Sequence, residues 1–130
     1  MTKMIDLNAE LAKLTMLEGR SPTTTEAETN GAVAQFAPYR DGAIFGSKFS
    51  GTSNWERHPH GDEIVQIANG STTLHLVASE GHQSLRLAVG MVAIVPQGAW
   101  HRFEAPDGVS LITVTPLPTE HLAVGDPQPL

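Results

Sequence analysis

Near the start of the chain Leu7, Leu11, Leu14 and Leu17 recur at helical spacing, and from residue 32 the apolar period falls to two. The first pattern predicts a short amphipathic helix over residues 7–17, with Asp6 placed to cap it and Gly19 to end it. Ser21 to Gly31 is polar, with Pro22 near its start, and reads as an extended connector. The second pattern predicts strands over 32–37, 43–49, 53–58, 63–68, 71–77, 84–88, 91–95, 100–105 and 109–115. These are short, are bounded by Gly, Pro, Asn or Asp, and have no helical pattern between them. An all-β fold follows, a jelly-roll barrel with one short N-terminal helix. The tail carries Pro116, Pro118, Pro127 and Pro129 and should run extended along the surface or onto a partner. The expected organisation is one domain over residues 1–130: helix and connector about 1–31, barrel about 32–116, Pro-rich tail 117–130.

Strand periodicity also assigns faces. Asn69-Gly70 between two strand patterns predicts a type I′ hairpin, since both central residues of that turn need positive φ. In that register Ile67 faces Thr72, Val65 faces Leu74 and Glu63 faces Leu76. Glu63, Val65, Ile67, Leu74 and Leu76 then share one face, apolar apart from Glu63. A carboxylate among aliphatic side chains is costly without a compensating partner, and a metal ion would be one. The same register puts His75 on the opposite face, as a partly exposed strand histidine.

Composition narrows the classes. With 130 residues, 40% of them hydrophobic and 17% charged, the chain is expected to bury a real core as one globular domain. A net charge of −6, with only 8 scattered Lys and Arg, argues against nucleic acid, which needs a clustered positive face. The absence of cysteine removes disulfides, thiolate zinc sites and iron–sulfur clusters, and leaves imidazole and carboxylate as the strong ligands. No window has the length of a membrane span, and the N-terminus lacks the apolar stretch of a signal peptide, so a cytoplasmic protein is expected.

The candidate chemistry lies in two blocks. One runs from Gly51 through Glu56, His58, His60 and Glu63 to Gly70, and the other from Gly90 through Pro96 and Gly98 to His101. Clustered imidazoles and carboxylates plus a distant His suit a divalent first-row metal. Glu56 and His58 share parity on their strand, and His101 shares a face with Phe103 and Ala105, so Glu56, His58, Glu63 and His101 can converge. His60, between Pro59 and Gly61, is the alternative to Glu56, although it sits where the chain must turn. A three-ligand set of His58, Glu63 and His101 also stands, as does a polar cluster with water and no metal. Phe45, Phe49, Leu74, Leu76 and Phe103 are candidates for a pocket wall. His82 and His121 read as surface residues. Trp55 and Trp100 read as packing residues rather than stacking platforms for a substrate.

These blocks resemble the two motifs of the cupins. The second motif matches at Gly90, Pro96, Gly98 and His101, with Ala105 where the family has a later Asn. The first departs: counting back from Gly70 and Glu63, the family's two histidines fall at positions 56 and 58, and position 56 is Glu. The resemblance implies a cupin-type jelly-roll barrel with a divalent metal (Fe, Mn, Ni or Zn). It also implies a small oxygen-bearing organic ligand and, if catalytic, dioxygenase, isomerase or lyase chemistry. A non-catalytic module binding or sensing a small molecule or metal is the alternative, since a lone Tyr39 and no inward Lys leave no obvious general base. A Leu-striped helix, a polar connector and a Pro-rich tail add surface-seeking material, so a homodimer is expected.

Overall fold

The structure, a computed structural model, describes residues 2–128; Met1, Pro129 and Leu130, the last two from the expected tail, lie outside the described residues. Asp6 caps helix α1 (Leu7–Ala12) by accepting the Ala9 N–H at 3.1 Å. The helix is shorter than the leucine spacing predicts. Leu14 closes one last tight turn onto the Leu11 carbonyl, and Leu17 already opens strand β1 (Leu17–Arg20). Parallel pairing with β3 (Gly42–Thr52), Leu17 opposite Phe49 and Arg20 opposite Gly51, supplies ladder bonds and packing that outcompete another helical turn. The connector is not extended throughout. Ala27–Thr29 form a 3-10 turn closed by reciprocal capping, in which Thr25 Oγ1 accepts the Glu28 N–H and Glu28 Oε1 accepts the Thr25 N–H.

The remaining strands are β2 (Val33–Tyr39), β4 (Trp55–Arg57), β5 (Glu63–Ala78), β6 (Gly81–Ala88), β7 (Val92–Val95), β8 (Trp100–Pro116) and β9 (Glu120–Leu122). Two long strands organise this all-β jelly-roll barrel. β8 is antiparallel to β3, β4 and β5, and β5 also pairs with β6 and β7, while β2 flanks β3 and β9 flanks β4. Inward residues of these strands, among them Phe49, Val65, Ile67, Leu74, Phe103, Val109 and Leu111, form the core.

Asn69-Gly70 is not a hairpin. β5 runs unbroken through it against β8, with Ile67 opposite Leu111, Gly70 opposite Val109 and Leu74 opposite Phe103. The ladder slips between Ile67 and Asn69 and again between Gly70 and Thr73, so the dipeptide sits in a bulged bend. Gly70 does adopt positive φ, +72°, but so does Gly108 (+95°) facing it on β8, and a Cβ on Gly70 would run into the Gly108 carbonyl. The two strands bend together there. Buried parity flips from odd at Glu63, Val65 and Ile67 to even at Thr72, Leu74 and Leu76. A bulge and a hairpin both flip it, so the shared face survives although its pairing does not: Glu63 opposes Val95, and Leu76 opposes His101.

Candidate metal centre

Three stretches of backbone bring the donors together. β4 sets Glu56 directly opposite His101 of β8. His58 follows the end of β4, and its carbonyl accepts the Gly98 N–H at 3.0 Å. Asp62 accepts the Gln97 N–H and the Gln97 side chain donates to the Pro59 carbonyl, both at 2.8 Å. The 58–62 turn is thereby stapled to the Pro96–Gly98 turn, where Gly98 holds φ +76° and Ala99 donates back to the Pro96 carbonyl. That staple fixes His58 beside His101. Glu63 opens β5 immediately after the turn.

His58, Glu63 and His101 are all buried, His101 completely. Glu63 Oε2 lies 3.1 Å from His58 Nε2, and its Oε1 lies 3.1 Å from His101 Nε2. Glu56, His58 and His101 each bring a donor atom within 4.8 Å of the other two. Around them, Thr115 Oγ1 donates to Glu63 Oε2 at 2.7 Å, and His58 Nδ1 meets Thr119 Oγ1 at 3.1 Å. His101 Nδ1 lies 3.1 Å from the Ala99 carbonyl. A carbonyl only accepts, so Nδ1 carries the proton and the neutral ring presents the Nε2 lone pair to the centre.

This produces an unusual accounting. His58 Nε2, His101 Nε2 and Glu63 Oε1 are buried without a well-directed hydrogen bond, although the contacts are only 3.1 Å. The Glu63 carboxylate thus lies between the two rings, one oxygen toward each Nε2. Ligands at right angles on an ion about 2.1 Å away stand roughly 3.0 Å apart, so this spacing and this donor set fit a divalent metal. Without one, a proton must sit among them. Burial pushes the Glu63 carboxyl up, but contacts with His101 and His58 outweigh it and hold the group at about 2. Burial pushes His101 down, and the Glu63 contact, with Glu56 behind it, more than restores it, so its imidazole sits above its ordinary value.

The centre opens on a cavity of about 440 Å³. Phe45, Phe49 and Phe103 line it, with Leu111, Thr113 and Thr115 from the second half of β8. Leu74 and Leu76 do not; they are buried in the core beside their β8 partners Phe103 and His101. His60 is exposed in the turn and faces a separate surface hollow with Asp62 and Tyr39. His121 is exposed, as a surface residue, and also lines the cavity. β9 pairs with β4, Glu56 opposite His121, held by Arg57 on Glu120 at 2.8 Å. That pairing brings half-exposed His121 to the mouth, its Nδ1 3.7 Å from Glu56 and 3.2 Å from Asn54 Oδ1. The period-two signal of Glu120-His121-Leu122 was too short to stand out among prolines. His75 lies on the outer face between Ser84 (2.8 Å) and Glu104 (2.9 Å), and His82 is exposed. Trp55 is buried beneath Arg102, and Arg57 stacks on Trp100.

No protein-family model matches the sequence, and no curated protein does. Solved structures do match. A cupin-2 domain protein of Shewanella frigidimarina aligns over 91% of this chain and 94% of its own, at 17% identity and a TM-score of 0.61. A hydroquinone 1,2-dioxygenase from Sphingomonas sp. TTNP3, with 4-hydroxybenzoate bound, aligns over 71% and 67%, at 20% identity and 0.57. An oxalate decarboxylase aligns over 62% of this chain at 16% identity and 0.56, and the match spans only 23% of the decarboxylase. At these identities the likeness is one of fold. Together with the barrel described above, it makes this chain a small cupin-fold protein.

Proposed function

We propose that the protein holds one divalent first-row metal ion with His58, His101 and Glu63, with Glu56 in reach as a fourth ligand, and acts on a small oxygen-bearing organic molecule in the adjoining cavity. The carrying observation is the buried cluster itself: Glu63 stands 3.1 Å from each imidazole Nε2 without a well-directed hydrogen bond, and Glu56, His58 and His101 bring donor atoms within 4.8 Å of one another. Iron, manganese, nickel and zinc all suit imidazole and carboxylate. The ion would supply Lewis acidity toward a ligand oxygen. The chain's own residues do the rest. Ala99 and Thr119 fix the rings through their Nδ1 atoms, Thr115 orients Glu63, and Phe45, Phe49 and Phe103 keep the ligand's body out of water. His121, beside Glu56 at the mouth, is the side chain placed to move a proton to or from a bound ligand. A dioxygenase of the same fold has 4-hydroxybenzoate bound, which favours a ligand of this size and kind.

We also propose a cytoplasmic homodimer. Among the described residues β7 pairs with β5 alone, and Ile64, Val92 and Ile94 expose an apolar face along this edge. A second copy laid on it would cover both. α1 and β9, by contrast, are engaged by β3 and β4 of their own chain.

Metal analysis of dialysed His101→Ala and His60→Ala tests the metal reading. His101→Ala should stay folded and bind divalent metal at least about tenfold more weakly, with His60→Ala unchanged. Equal stoichiometry in both at limiting metal would refute the ligand assignment.

A further inference from the structure

Arg20 closes one side of the same cavity. It ends β1, where its backbone passes so close to Gly51 (φ +98°) that a Cβ there would strike it. Its guanidinium lies 4.7 Å from the centroid of the Phe49 ring. The strand and the stacking together hold the head group in place. Among the described residues it is the one arginine or lysine in the cavity wall, and it donates no side-chain hydrogen bond. Glu26 and Glu56 line the same cavity, yet neither comes within 4.0 Å of it as an ion pair. The other arginines are engaged elsewhere: Arg57 on Glu120, Arg86 on Ser71, Arg40 on Tyr39 and Arg102 over Trp55.

A guanidinium keeps its charge at every working pH, and its planar fork of N–H donors matches a carboxylate in bidentate fashion. Half-buried against an aromatic ring and with no protein acceptor, those donors are left free to bind an anion that enters the cavity. A neutral ligand would leave them so. We propose that Arg20 is the anion anchor of the cavity. It receives the carboxylate of a small organic acid whose apolar body lies among Phe45, Phe103 and Leu111 and whose other oxygen faces the histidine–glutamate cluster. This rests on the metal and ligand reading above and narrows its substrate class to organic carboxylates. The two nearby acids set the selectivity. Glu56 is drawn to His58 and His101, while Glu26, exposed on the connector, disfavours a second negative charge and so favours a monocarboxylate.

Calorimetric titration with benzoate, phenylacetate and butyrate, each against its primary amide, tests the anchor on cobalt-loaded and EDTA-stripped protein. At least one acid should bind the wild type about tenfold or more tightly than its amide, as expected for hydrogen bonds to a charged group. Arg20→Gln should weaken that acid about tenfold or more, leave the amide within about twofold, and keep cobalt stoichiometry; Arg20→Lys should fall between. An Arg20→Gln that binds the acid as the wild type does overturns the proposal, and so does a wild type that prefers no acid to its amide. The wild-type comparison and Arg20→Lys carry the test if Arg20→Gln does not fold. Failure of the wild type to take up cobalt would sink the metal reading instead, and the acid preference of stripped protein would still judge Arg20.

Discussion

Glu63→Gln removes one charge from the centre of the site while keeping its volume. In the metal-free protein the folded carboxyl sits at about 2 against an ordinary 4.5, because the two imidazoles outweigh the cost of burial. At about 1.4 kcal/mol per pH unit that gap corresponds to about 3 kcal/mol of stability. Glu63 is nearly fully buried, so solvent screening removes little of it. A carboxyl held low contributes fully above 4.5 and loses its contribution as pH falls through about 2. His101, held above its ordinary 6.5, contributes fully below 6.5 and loses its part as pH rises through the folded value. Both describe one contact, counted once, so the window of full effect runs from roughly pH 4.5 to 6.5. Denaturant unfolding of EDTA-stripped protein should find Glu63→Gln less stable by about 3 kcal/mol at pH 5.5. The gap should narrow as pH rises through the folded value of His101, and again as pH falls toward about 2. A pH-independent gap, or a variant more stable than wild type at pH 5.5, would refute this electrostatic reasoning. Metal affinity should slope the other way and rise with pH, since ligating imidazoles must be deprotonated.

Two further outcomes test the frame around the site. Gly70→Ala should cost at least about 2 kcal/mol in unfolding free energy, because Gly70 combines positive φ with a collision against the Gly108 carbonyl; a cost below about 0.5 kcal/mol would show that the paired bend relaxes freely. Light scattering at micromolar concentration should report a dimer for the wild type and a monomer for Ile94→Lys, and a monomeric wild type would remove the interface proposal.

The sequence carried the site further than it carried the connections. Two-residue periodicity put His58, Glu56 and His101 on inward positions because short strands next to Gly and Pro have little freedom of register. The Pro96-x-Gly98 turn was legible for the same reason: only a glycine takes φ +76° there without strain. Asn69-Gly70 misled because the dipeptide announces positive φ without saying whether the chain reverses or bends. What decides is Gly108, thirty-eight residues away, and no local pattern reports it. Leu74 and Leu76 were misplaced with it, as the assumed hairpin gave them Glu63 and its neighbours as partners instead of β8. Leu17 continued a helical spacing that its pairing with Phe49 overrode. Arg20, Thr115, Thr119 and His121 were missed because their roles depend on which strands β3, β4 and β5 lie beside, which is tertiary information.

The central claim is that His58, Glu63 and His101 converge on a metal, and anomalous diffraction from crystals grown with cobalt tests it directly. One strong peak is predicted, about 2.0–2.3 Å from His58 Nε2, His101 Nε2 and a Glu63 oxygen, with His60 remote from it. The absence of a peak among these three residues at full cobalt occupancy of the medium, or a peak held by His60 in its place, would contradict the account.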